Sequence, residues 1–177
     1  DLKVGNFVDI KDASASLLIV PQGVAGTFEF AGRPFTGPLS LEISNSAKVS
    51  VNTVPYPVTT EMTKTEDSNG FELPGGPYVR IEAIGANLNV LGNTLVGDYV
   101  FERYKDKDDQ EVNVLAADKV EVNVSINGDT ARFTDGEGAF VLKNSGLAGY
   151  LSGLVDLKVG PVEAGGREGL RVNDTGD

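Results

Sequence analysis

Apolar residues recur at every second position through much of this chain. Leu17 and Ile19, Leu39, Leu41 and Ile43, Val79 and Ile81, Leu88 and Val90, Tyr99 and Phe101, Val112 and Val114, and Val120, Val122 and Val124 all keep that period. A period of two sends alternate side chains to opposite sides of an extended backbone, so each run predicts a half-buried β-strand with one side inward. No segment keeps apolar residues at i, i+3, i+4 and i+7 over three turns. Helix should be nearly absent, with at most a single turn at Leu91 to Leu95 and at Ala116 to Val120. Polar clusters at Thr63 to Asn69, Lys105 to Gln110 and Asn127 to Asp129 predict loops.

The pattern repeats. Ala15 to Phe30 (ASLLIVPQGVAGTFEF) aligns without a gap to Ala86 to Phe101 (ANLNVLGNTLVGDYVF), at an offset of 71 (86 − 15). Gly138 to Gly153 (GAFVLKNSGLAGYLSG) follows at a further 52 (138 − 86). Leu17, Leu88 and Phe140 coincide, as do Ile19, Val90 and Leu142, and Gly26, Gly97 and Gly149. Each unit has two alternating runs flanking a turn-rich stretch, Pro21-Gln22-Gly23 or Leu91-Gly92-Asn93, and so reads as a β-hairpin. The glycine opening the second run marks a bulge or a close backbone approach. Leu170-Arg171-Val172-Asn173 echoes Val49-Ser50-Val51-Asn52 at an offset of 121 (170 − 49). Residues 1–177 therefore read as one repeat of about 120 residues plus part of the next. Asp1-Leu2-Lys3-Val4-Gly5 recurs as Asp156-Leu157-Lys158-Val159-Gly160 at 155, outside that period. The fold class expected is all-β and antiparallel, hairpin repeats forming a sandwich or an elongated solenoid-like stack.

Composition narrows the function classes. Carboxylates outnumber Lys and Arg by 26 to 15, a net charge of −11, which disfavours nucleic acid and anionic membrane surfaces because both need a basic face. The chain has no Cys, His or Trp. Thiolate metal sites and disulfides are excluded, and so is the usual general base near neutral pH. No run of about 18 apolar residues exists to span a membrane as a helix. The opening Asp1-Leu2-Lys3 reads as the start of an excised or processed piece.

The units from Gly85-Ala86-Asn87-Leu88-Asn89-Val90 to Gly97-Asp98-Tyr99-Val100-Phe101-Glu102, and from Gly138-Ala139-Phe140 to Gly146-Leu147-Ala148-Gly149, resemble repeat modules of giant bacterial surface proteins. These are long, acidic, Cys-free adhesins with tandem β repeats, often with calcium-binding repeats. Leu73-Pro74-Gly75-Gly76-Pro77-Tyr78-Val79-Arg80 looks like a linker between such units. The resemblance implies an extracellular or cell-surface location and a spacer, adhesive or fibre-forming role beside neighbouring copies of the same repeat.

Acidic clusters are the candidate chemistry. Asp106, Asp108 and Asp109 fall in one predicted loop, and Asp129, Asp135 and Glu137 in another. Asp9 and Asp12 precede the first hairpin, and Asp12 aligns with Asp135 at the 123 offset (135 − 12). Calcium takes six to eight hard oxygens, which such loops supply, although no EF-hand loop or glycine–aspartate nonapeptide is present. A solvated acidic loop is the plain alternative. Tyr56, Tyr78 and Tyr104 are candidates for a carbohydrate-binding platform, against roles as strand-end plugs. Paired carboxylates would serve a glycoside hydrolase, but no spacing selects two of them. No G-x-S-x-G or S-x-x-K arrangement occurs, and the expectation is a non-catalytic module.

Overall fold

The computed structural model describes residues 2–4, 8–35, 39–90, 93–126, 129–143 and 146–174. The protein is all-β and antiparallel, as its alternation predicts. Its strands are β1 (Leu2–Val4), β2 (Val8–Val20), β3 (Gly23–Phe35), β4 (Leu39–Asn52) and β5 (Tyr78–Val90), then β6 (Asn93–Lys105), β7 (Glu111–Ile126), β8 (Asp129–Lys143), β9 (Gly146–Val159) and β10 (Val162–Asn173). They form one sheet in chain order, a meander that does not close into a barrel. One short helix, α1 (Thr60–Thr63), lies in the long β4–β5 connection. Among the described residues only strands adjacent in sequence touch one another, and α1 touches β2. Among the described residues the antiparallel hairpins follow one another in a single elongated layer.

The layer leaves much surface open. The accessible area is 11487 Å², against about 8,200 Å² for a compact monomer of this mass. Among the described residues two small clusters are buried. Ala25, Val58, Leu73 and Tyr78 form one with Leu18, Phe71 and Tyr104, where the β4–β5 connection lies on the sheet. Ile43, Ala47, Ala83 and Ala86 form the other, beside Phe30 and Tyr99.

All three expected hairpins form, and two of them match in register. Leu17 faces Gly26 in the first and Phe140 faces Gly149 in the third. The turns close alike, with Val20 opposite Gly23 and Lys143 opposite Gly146, and both glycines have positive φ, 151° and 135°. A Cβ on Gly26 would stand 2.4 Å from Leu17 Cδ2, and one on Gly149 2.4 Å from Phe140 Cδ1. Each glycine is thus a seat for the side chain across from it.

The middle hairpin departs from this pattern. Val90 pairs with Asn93, so the turn shifts back by one residue and Leu88 faces Leu95, leaving Gly97 opposite Ala86. Its turn also lies at the other end of the sheet, because a meander reverses at every strand and this hairpin stands three strands on. Gly97 is not equivalent to Gly26 and Gly149; it lies at the shift between Val96 and Asp98 where β6 meets β7.

Every pair from β2–β3 to β8–β9 carries a register shift near mid-strand. Such bulges bend and twist strands. Gly85, Lys119 and Asp135 hold left-handed backbone there, with φ of 61°, 53° and 49°. Ala116 to Val120 and Asn93 to Leu95 are strand, not the single helical turns expected.

Candidate interaction surfaces

Cross-strand register sorts the side chains of the sheet into two unlike sides. One row runs across nine strands as Ala15, Phe28, Val49, Ile81, Phe101, Leu115, Phe140, Gly149 and Val172. A parallel row on the same side runs from Phe30 through Ala47, Ala83, Tyr99, Ala117, Gly138 and Leu151 to Leu170. Both rows are apolar almost throughout. The adjacent row on the opposite side runs Ser14, Glu29, Lys48 and Glu82, with charges alternating in sign from β3 to β5, then Val100, Ala116, Ala139 and Tyr150 to Arg171. This side is thus charged over β3 to β5 and largely apolar over β6 to β9. The β4–β5 connection packs on this second side, against Leu18, Ala25 and Tyr78.

Outside the buried patch around Ala47 and Ala83, the apolar side is open among the described residues. Leu17 is 50% exposed, Ile19 74% and Leu142 50%, which overturns the expectation that they face a core. Alternation marks a side that repels water, and no second layer meets it among the described residues. The side chains of Leu88 and Val90, expected to do the same, lie outside the described residues. Phe140 is half-buried over Gly149.

The charged side is held by ladders of ion pairs. Arg80 Nε donates to Glu82 at 2.8 Å, and its Nη1 lies 3.4 Å from Glu102. These acceptors hold the guanidinium charge, so its pKa rises, the hydrogen bond to Glu82 being the largest cause. Burial first, then the neighbouring Glu102, pushes the Tyr78 hydroxyl up to about 12. On the apolar side, burial raises Tyr99, whose hydroxyl is enclosed without a hydrogen-bond partner.

The calcium candidates separate into different places. Asp106 closes the β6–β7 turn: its Oδ1 accepts from the backbone N–H groups of Asp108 at 2.9 Å and Gln110 at 3.0 Å. Its Oδ2 faces Lys143 at 3.4 Å, and Asp109 pairs with Lys105 at 2.7 Å. Asp108 is exposed and lies 3.9 Å from Lys107. Asp129 accepts from Gly160 N–H at 2.9 Å by the β9–β10 turn, at the far end of β8 from Lys143. Asp135 and Glu137 are not in a loop as expected: both lie inside β8, Asp135 at its bulge and Glu137 3.6 Å from Arg167. The side chains of Asp9 and Asp12 lie outside the described residues, while their backbones belong to β2. Among the described residues no three acidic side chains gather as a metal site.

The tyrosines do not form one platform. Tyr78 is buried and Tyr104 packs beside it in the cluster under the β4–β5 connection, while Tyr56 stands exposed in that connection. The segment expected to link units is part of the same cover. Leu73 bonds Val58 in both directions, at 2.9 and 3.0 Å, and Gly76 N–H donates to Val54 O at 2.6 Å. Neither its buried Leu73 nor its fixed backbone was visible in the Pro- and Gly-rich sequence.

A third surface is the edge. β10 bonds β9 along its whole length, and no strand stands beyond it among the described residues. Its side chains are exposed throughout apart from Val172, which is half-buried. No protein family, curated protein or solved structure matches this chain.

Proposed function

We propose that the chain is a non-catalytic structural or adhesive repeat module of an extracellular protein, whose sheet is widened edge to edge by neighbouring copies of the same repeat. One observation carries this reading: β2–β4 and β8–β10 share one register. The shift is 123 residues for Leu17↔Gly26 against Phe140↔Gly149, and 121 for Val51 against Val172 (172 − 51). Gly26 faces Val51 as Gly149 faces Val172, and Ala25 faces Asn52 as Ala148 faces Asn173. β10 thus occupies the place of β4, whose other edge carries β5.

Six strands is an even number, so the unit repeats by translation and its strands keep their direction. An open, regular edge is a template for a further strand, and stacked repeats cover each other's edges. The recurrence of Leu2–Val4 as Leu157–Val159 runs from β1 to β9, eight strands on, and stays outside this six-strand unit. Sedimentation and melting of one-copy and two-copy chains at several concentrations test the reading. A tandem that melts higher than the single copy, or a single copy that associates with concentration, is expected. A monomeric single copy as stable as the tandem would return the module to an autonomous binding role.

A further inference from the structure

Widening the sheet at its edges leaves most of its apolar side open. We propose that a second copy of this chain packs on it, apolar side to apolar side, as a two-fold symmetric two-layer sandwich. A sheet with one apolar side is stable when a second layer covers that side, with the two layers about 10 Å apart. Among the described residues no second layer does so: the β4–β5 connection lies on the charged side, and no two strands beyond sequence neighbours touch.

The area suits a stable dimer. Nine strands about 4.8 Å apart and some 13 residues long present roughly 1,500 Å² per copy, above the ~800 Å² per partner of a standard interface. Charge permits it. On the apolar side of β3 to β9, the charged side chains among the described residues sit by the turns, Arg103, Lys105 and Glu111 at one end and Asp129 at the other. Two chains of net charge −11 can meet there with their ladders turned outward. A partner of opposite charge would find no handle in the middle of this side. The pattern is also self-matching. A dyad through β6 exchanges the two ends of the sheet, and so lays β2–β4 of one copy over the equivalent β8–β10 of the other. The same dyad sets Ile81 of β5 over Leu115 of β7, two exposed side chains that flank Phe101. Closed two-fold interfaces of this kind are the commonest in soluble oligomers.

The chain has no cysteine, so introduced thiols report cleanly. Ile81→Cys and Leu115→Cys chains, mixed and treated with a thiol crosslinker of about the inter-sheet spacing, should form a covalent dimer at low micromolar protein. Leu154→Cys, on the charged side, should not. Equilibrium sedimentation of the unmodified chain should show a dimer, and the Ile81→Lys, Leu115→Lys double variant should weaken it at least tenfold while Leu154→Lys leaves it intact. A chain monomeric at every concentration overturns the proposal. So does crosslinking through Leu154→Cys alone, or a monomer that floats with phosphatidylcholine vesicles and loses this in the double lysine variant. These outcomes are independent of edge association, which the tandem chain reports separately.

Discussion

Asp98 and Lys119 meet at 2.8 Å across β6 and β7, where the backbones on either side of β6 bulge. Lys119 is the left-handed residue of the β7 bulge, and the other oxygen of Asp98 accepts from the N–H of Gly85, the left-handed residue of the β5 bulge, at 2.8 Å. One carboxylate on the straight strand therefore ties down the bulges of both neighbours. The lysine amine first and the Gly85 N–H second hold the Asp98 carboxyl below its usual range.

The first prediction follows from the sign of that shift. A group whose folded pKa is depressed adds stability above its unfolded pKa, about 4 for Asp, and loses it as pH falls through the folded value. Asp98→Asn should be less stable than the parent in urea melts at pH 7, and the difference should shrink at pH 3. Lys119→Met, which removes a largely exposed partner, should cost less, within about 1 kcal/mol. A pH-independent gap would assign Asp98 a role through shape alone.

Glycine seats give the second prediction. Gly26→Ala and Gly149→Ala each force a methyl against the facing Leu17 or Phe140, and should destabilise by roughly 1–3 kcal/mol. Leu17→Ala added to the first, or Phe140→Ala added to the second, should recover part of the loss through a favourable coupling. In Gly97→Ala the new methyl meets Val120 and Asp118 O of β7 instead, so shortening Leu88 should recover nothing. Double-mutant cycles measured by chemical denaturation decide whether the first and third hairpins are energetic equivalents.

Strand identity, antiparallel pairing and the match of the first and third hairpins were legible because a two-residue period and fixed glycine spacing are local properties. What alternation does not encode is the far side of the sheet. It placed Leu17, Ile19 and Leu142 on an apolar side but left open whether a second layer lies there. The middle hairpin misled because its spacing matches the others while its turn slides by one residue, and a three-strand offset reverses direction. Asp135 looked like a loop residue because Asp, Gly and Thr surround it. In the fold, Asp and Gly there serve a bulge inside a strand. The acidic clusters gave no spacing that foretold their scatter over both ends and the middle of the sheet.

Asp135 gives the third prediction, which separates a backbone role from a calcium role. Its φ of 49° is left-handed, a region that costs most side chains about 1–2 kcal/mol and that Gly and Asn adopt readily. Asp135→Val should destabilise by about that amount, and Asp135→Gly and Asp135→Asn by less than about 0.5 kcal/mol. If Asp135 ligates calcium, the parent will melt higher in calcium than in chelator, and Asp135→Asn will lose that difference. Identical melting of the parent in both media leaves the bulge as its role.

The fourth prediction concerns Asn52, a fully buried amide at the end of β4. Its Nδ2 donates to Tyr56 O at 3.1 Å and to Pro74 O at 2.7 Å, and its Oδ1 accepts from Val54 N–H at 2.8 Å. One side chain thus fastens both ends of the connection that covers Ala25 and Tyr78. Asn52→Leu strips partners from three backbone groups and should cost roughly 2–4 kcal/mol. Hydrogen exchange should rise first between residues 53 and 77, with β7 to β10 little changed. Asn52→Asp sets a carboxylate against two carbonyl oxygens in a buried site, which raises its folded pKa above the unfolded value. Protonation then favours the folded state, so this variant should gain on the parent as pH falls from 7 toward 4. Exchange in the 53–77 connection that matches the parent in Asn52→Leu would show that Leu73, Val58 and Phe71 hold the connection without the amide.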